Sequence, residues 1–197
     1  LDADESGIAR ILSPDARQQY AVEALAYLRK SQRPDAHIEG PLVSAWSAVA
    51  FGAHGERARD VRNGDRSLEM ALATAPLVSA TDLERQILAV VASGANPRSF
   101  ADHNLVALLR SRFRNRQLGE EYLVNDDIFG ILALLAAGEP PGAREVRETV
   151  ITLVGNKSAD GSWGGLDLTA AAIQALRAYA ARDGTTDVTE PVARARA

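Results

Sequence analysis

The chain has 197 residues, 46% hydrophobic and 24% charged, which suffices for one well-filled core and is ordinary for a globular domain. Its formal net charge of −4 argues against nucleic acid as a partner. The absence of cysteine removes disulfides, thiolate zinc sites, a cysteine nucleophile and a thioester. No apolar run reaches the ~18 residues that a membrane span needs.

Residues 1–14 read as an N-terminal extension to a single domain covering 1–197. The chain begins Leu1-Asp2 without a methionine, so the reading leaves room for a removed signal peptide or upstream domain, and for an exported or cell-surface bacterial protein. The first helix, 15–32, is amphipathic, with Tyr20, Val22, Leu25 and Leu28 among Arg17, Glu23, Arg29 and Lys30. The second, 41–54, carries no charge over 41–53. A third helix is expected over 65–76. The fourth, 80–93, shows Leu83, Ile87, Val90 and Val91 on a broad apolar face beside Glu84 and Arg85. In the fifth, 99–114, the run Arg110, Arg112, Arg114, Arg116 is expected to spread around the helix as a solvated face. The sixth, 124–138, has no charge beyond Asp126 and Asp127. The seventh, 141–155, sets the stripe Val146, Val150, Val154 against Arg144, Glu145, Arg147 and Glu148. In the eighth, 167–182, only Gln174 and Arg177 interrupt an apolar run. The segment 188–197 starts a further helix behind an Asp/Thr cap, as the first half of a truncated repeat.

Strand signals are nearly absent, so the fold class is all-α. A helix apolar on every side must be covered on every side. Covered helices alternating with half-exposed ones therefore predict two layers, an inner and an outer one. Burying the seven large apolar side chains of 124–138 contributes ~10–20 kcal/mol as an upper bound, against ~0.5–2 for an aspartate cap. Packing thus decides where this helix goes, and the acids where it starts. Gly55, Gly94 and Gly138 close three inner helices at the spacing of a helical-hairpin repeat. The total is about four and a half hairpins.

The segment "KSADGSWGGLDLTAAAIQAL" (157–176) resembles the repeat of the prenyltransferase and squalene–hopene cyclase superfamily, the α/α-toroid or terpenoid cyclase proteins. In that repeat a Q-x-x-x-G-x-W turn links an outer helix to an inner one. Gly161 and Trp163 match it and Lys157 departs from it, whereas "SQRPDAHIEG" (31–40) keeps Gln32 and has Ala36 and Ile38 in place of glycine and tryptophan. The resemblance implies inner helices around a central cavity within a ring of about half a dozen hairpins. Four and a half hairpins do not close such a ring. The expectation is an incomplete α–α barrel whose open edge meets a second copy or an adjoining domain.

The resemblance also bears on Asp126 and Asp127. The proton-initiated cyclases carry D-x-D-D at the head of an inner helix, and "VNDD" (124–127) falls there with Val124 replacing the first acid. It would make Asp126 the catalytic general acid with Asp127 beside it. The residues alone read otherwise: Asn125 and the two aspartates suit a helix N-terminus, as do Asp82 and Asp167. Aromatic residues, 5% of the chain, are few for a carbocation site. The zinc ligand set of the protein prenyltransferases fails for want of cysteine, and adjacent Asp102 and His103 on a helix would point ~100° apart. No metal or cofactor is expected, since no phosphate loop, dinucleotide fingerprint or G-x-S-x-G occurs.

The expected function is therefore a non-catalytic α/α-toroid domain that binds a small apolar or isoprenoid-like ligand, or a protein partner, at the inner-helix mouth or open edge. Its ligand-binding residues are expected to be Trp46, Asn125, Phe129, Asp167 and Trp163. The alternatives are a cyclase-like enzyme using Asp126, and a purely structural docking domain.

Overall fold

A computed structural model describes residues 13–183. Most of the expected extension 1–14, and the expected helix 188–197, lie outside the described residues. Those described form eight helices and two minimal β-ribbons, so the protein is mainly α-helical. The helices are α1 (Pro14–Lys30), α2 (Pro41–Ala53), α3 (Leu68–Ala73), α4 (Ala80–Ala92), α5 (Leu105–Arg110), α6 (Val124–Ala136), α7 (Arg144–Gly155) and α8 (Leu166–Asp183). One ribbon pairs β1 (Arg62–Asn63) with β2 (Arg66–Ser67), and the other β3 (Phe113–Arg114) with β4 (Gln117–Leu118), both antiparallel.

The ribbons correct two expected helices. Gly64, at φ 58°, opens the first two-residue turn; Asn115 and Arg116, at 46° and 68°, form the second. A third tight turn, with Ala101 and Asp102 left-handed between the bridged Phe100 and His103, occupies the expected start of the fifth helix. The helices expected at 65–76 and 99–114 shrink to the six residues each of α3 and α5. The arginine run consequently does not spread around a helix. Arg110 ends α5 and pairs with Glu145 and Glu139, Arg114 lies in β3, and Arg116 holds Glu148 of α7 from the ribbon turn.

The even-numbered helices stand in sequence, α2 against α4, α4 against α6 and α6 against α8, while α3, α5 and α7 pack on α2, α4 and α6. On α6, Ile128, Ile131, Leu134 and Leu135 are completely buried. Helix α7 buries Val146, Thr149, Val150 and Leu153 on one stripe and leaves Ile151 half exposed. α1 buries only Leu25; Tyr20, Val22 and Tyr27 are exposed, so its expected apolar face is mostly uncovered among the described residues.

The glycine ends behave as the sequence predicts. After α2, α4 and α6 the chain turns left-handed at Gly55, Gly94 and Gly138. Each turn is closed by an N–H from the next residue to the carbonyl five back: Glu56 to Phe51, Ala95 to Val90, Glu139 to Leu134.

The turns entering α2 and α8 correspond residue for residue. Arg33 N donates to His37 O, as Ser158 N does to Ser162 O; Ile38 N donates to Ser44 Oγ at 2.9 Å, as Trp163 N does to Thr169 Oγ1 at 3.1 Å. Ala36 and Glu39 hold left-handed φ of 78° and 60° where the later turn has Gly161 and Gly164. The turn at 31–40 thus repeats the geometry of the DGSWGG turn, although it has Ala36 and Glu39 where that turn has glycines.

Candidate functional site

The N-terminal halves of α2, α4, α6 and α8 enclose a recess of about 320 Å3. Each helix contributes one face at helical spacing: Leu42 and Trp46, Thr81 with Glu84 and Arg85, Asn125 and Phe129, and Asp167 with Leu168 and Ala171. Trp46 and Phe129 meet edge to face with ring centroids 5.8 Å apart. The uncharged helix 41–53 is therefore not covered all round. Leu42 and Trp46 line the recess and stay 54% and 40% exposed. Further exposed apolar side chains, Val78, Leu123 and Leu166, lie at the entries to α4, α6 and α8.

Three buried carboxyl groups gather between α4 and α6: Glu84, Asp126 and Asp127. The two aspartates do not cap α6. Leu123 occupies the N-cap position without a side-chain bond; the Asp127 carboxylate reaches back to the preceding ribbon, and that of Asp126 to the link after it and to α4. Asp127 accepts from Leu118 N at 3.1 Å and from Gln117 Nε2 at 3.0 Å. Asp126 accepts from Glu120 N at 3.0 Å and, across the interface, from Thr81 Oγ1 at 2.7 Å. The pair pins the ribbon and α4 to the head of α6. Desolvation outweighs these donors at Asp127 and, with the neighbouring Asp126 charge, pushes its carboxyl up to about 6.

Glu84 is different. It is completely buried in the floor of the recess, and neither carboxyl oxygen has a hydrogen-bond partner among the described residues. Desolvation first, then the charges of Asp126 and Asp127, push it up to about 10, against a smaller opposing pull from Arg85. At neutral pH it is a neutral carboxylic acid. Arg85 is itself held by Asp82 of the α4 capping box at 2.6 Å. Opposite Glu84, α6 carries Gly130, where a β-carbon would sit 3.4 Å from Glu84 Oε1 and 2.5 Å from Leu118 Cδ1.

The recess brings together four of the five side chains expected to bind ligand, Trp46, Asn125, Phe129 and Asp167. Trp163 is not among them: it is buried at 2% exposure in the turn before α8, and its Nε1 donates to Leu153 O at 2.7 Å. Asp126 lines a second recess of about 420 Å3 with Thr81, Arg112 and Arg114, away from the aromatic pair. The sequence reading passed over Glu84. Its signal was position: four residues after Ala80 and three before Ile87, it lies on the buried stripe of α4. Among the described residues no group of three His, Asp or Glu side chains is arranged to hold a metal ion, and no helix is long and apolar enough to cross a membrane.

Gly119 couples the ribbon to the acids. Its φ is 71°, and a β-carbon there would fall 2.2 Å from Asp126 Oδ2 and 2.7 Å from Ala80 Cβ. Gly119→Ala is expected to cost about 2–4 kcal/mol, combining left-handed strain with overpacking. Urea denaturation reads this loss, and a variant within about 0.5 kcal/mol of wild type contradicts the packing described.

No family model matches the chain, and neither does any curated protein or solved structure.

Proposed function

We propose that the protein is a two-layer α/α repeat domain of the toroid type that binds a small ligand, without catalysis, in the recess at the N-terminal ends of α2, α4, α6 and α8. One observation carries the reading: a buried, partnerless carboxyl group, Glu84, forms the floor of a recess walled by Trp46 and Phe129. A buried polar group with no partner costs about 1–3 kcal/mol, and a functional role is one explanation for keeping it. Few convergent polar groups in an otherwise aromatic and aliphatic hollow are the usual composition of a ligand site. The correspondence of the turns entering α2 and α8 supports the repeat arrangement.

The cyclase-like alternative has less support. Both oxygens of Asp126 are engaged by Thr81 and Glu120, and the recess it lines does not contain the aromatic pair. The exposed apolar side chains at the entries to α4, α6 and α8, Val78, Leu123 and Leu166, favour an accessory role for a covering partner.

The test is a fragment screen by thermal shift on wild type and on Ala171→Phe, which fills the recess from α8. Ligands of the recess are expected to raise the melting temperature of wild type and leave the variant unmoved. Hits that shift both proteins equally, or no hits at all, contradict the reading.

A further inference from the structure

Resting on that binding reading, we propose that the recess takes a small organic cation, an alkylammonium group seated between the Trp46 and Phe129 rings and the Glu84 carboxyl.

The charges around the hollow are lopsided. α6 contributes Asp126 and Asp127 beneath it, α8 contributes Asp167 at its wall, and α4 contributes Glu84 itself. The single cation acting on Glu84 is Arg85, on the same helix, and Asp82 already holds it. α2 supplies only the uncharged Leu42 and Trp46, and α3 and α5, also packed on α4, add no charge acting on Glu84. The charges acting on Glu84 are therefore on balance negative, two acids against one arginine that Asp82 already pairs. An anion is repelled there, and a neutral ligand gains nothing from the field.

The walls select the kind of cation. A hydrated metal ion wants several carboxylate or imidazole ligands at once, and the described residues do not group them so. Two aromatic rings in the wall of the hollow suit a bulky, weakly hydrated charge, which the ring faces attract. About 320 Å3 accommodates a quaternary ammonium with a short substituent.

Binding of such a group has a consequence in protons. Glu84, empty-handed, is raised to about 10 and holds its proton at neutral pH. A positive charge in the recess above it favours the ionised carboxylate, so Glu84 releases that proton to solvent as the cation enters. Affinity then rises with pH, up to tenfold per unit, until the ligand-free titration of Glu84 is passed.

The experiment is isothermal titration calorimetry at neutral pH in two buffers of different ionisation heat. The probes are tetramethylammonium, choline and benzyltrimethylammonium, with a neutral isostere for each, such as 3,3-dimethylbutanol for choline. Wild type is expected to bind at least one cation about tenfold or more tightly than its isostere and to release close to one proton. Glu84→Gln, which keeps the two rings and the other acids, is expected to retain part of the preference for the cation and to release no proton. Trp46→Ala, at a half-exposed position, is expected to weaken the cation about tenfold while keeping the proton release. Equal affinity of cations and isosteres in wild type overturns the cation assignment but leaves a binding recess. Cation binding without proton release overturns the coupling to Glu84. Absence of binding by every probe overturns the cation assignment; if the fragment screen also yields nothing that Ala171→Phe abolishes, the binding reading falls with it.

Discussion

Glu84→Gln is expected to make the protein more stable at neutral pH, by about 2–3 kcal/mol, which for a domain of this size raises the melting temperature by about 5–10 °C. Between the ordinary glutamate value of 4.5 and the folded value of about 10, the folded state holds a proton that the unfolded state has released. Stability therefore falls as pH rises through that window, and by neutrality the burial of Glu84 costs roughly 3 kcal/mol. Glutamine keeps the shape and does not titrate, so it removes this cost. Asp127, raised from 3.8 to about 6, gives the same sign over a narrower, more acidic window. Thermal melts from mildly acidic to alkaline pH should show wild type weakening steadily and Glu84→Gln staying level above the range of Asp127. A variant less stable than wild type at neutral pH contradicts the protonated, partnerless state of this carboxyl. Gain of stability with loss of ligand selectivity is the pattern expected where a strained group serves a site.

The second large effect concerns the contact between α2 and α4. At Gly52 a β-carbon would lie 2.3 Å from the carbonyl oxygen of Ala92 and 2.6 Å from its carbonyl carbon. Both atoms are backbone, so no side chain can rotate away, and the helices must separate. Gly52→Ala is expected to lose about 2–3 kcal/mol even after the gain of up to ~1 kcal/mol that alanine brings to a helix. Gly155→Ala, at the end of α7, supplies the control. A β-carbon there meets nothing within 4 Å, and the propensity term alone should stabilise the protein by about 0.5–1 kcal/mol. Chemical denaturation of the two variants should move the midpoint in opposite directions. A neutral Gly52→Ala means that α2 and α4 are not in backbone contact.

Much of the frame was legible because it follows from local chemistry. A run such as Ile128 to Leu135 has no polar side to offer water, and all of it but Phe129 and Leu132 is buried. Gly55, Gly94 and Gly138 sit where a left-handed residue ends a helix, and each does so. The ribbons were not legible: Asn115-Arg116 is flanked by Phe113, Arg114, Gln117 and Leu118, too short a stretch for alternation to register. The ribbon's anchor, Asp127 to Leu118 N, is tertiary. The same limit hid the orientation of the acids, since a carboxylate in a first helical turn can bond its own helix or whatever lies above it. Leu42 reads as covered because it is apolar; that it faces a hollow beside Trp46, which the sequence does offer as a ligand contact, depends on where the other three helices stand. Glu84 read as the polar side of α4 because one charge beside Arg85 resembles a solvated pair, whereas Arg85 turns to Asp82 and Glu84 turns inward.

The most direct measurement is the titration of the glutamate side-chain carboxyls by carbon-13 NMR, with Glu84→Gln assigning the resonance of interest. One carboxyl is predicted to remain protonated through neutrality and to titrate near 10, to be missing from the variant, and to ionise at neutral pH when benzyltrimethylammonium is added. If every glutamate titrates near 4.5, the floor of the recess is not the buried acid described, and the site built upon it is wrong.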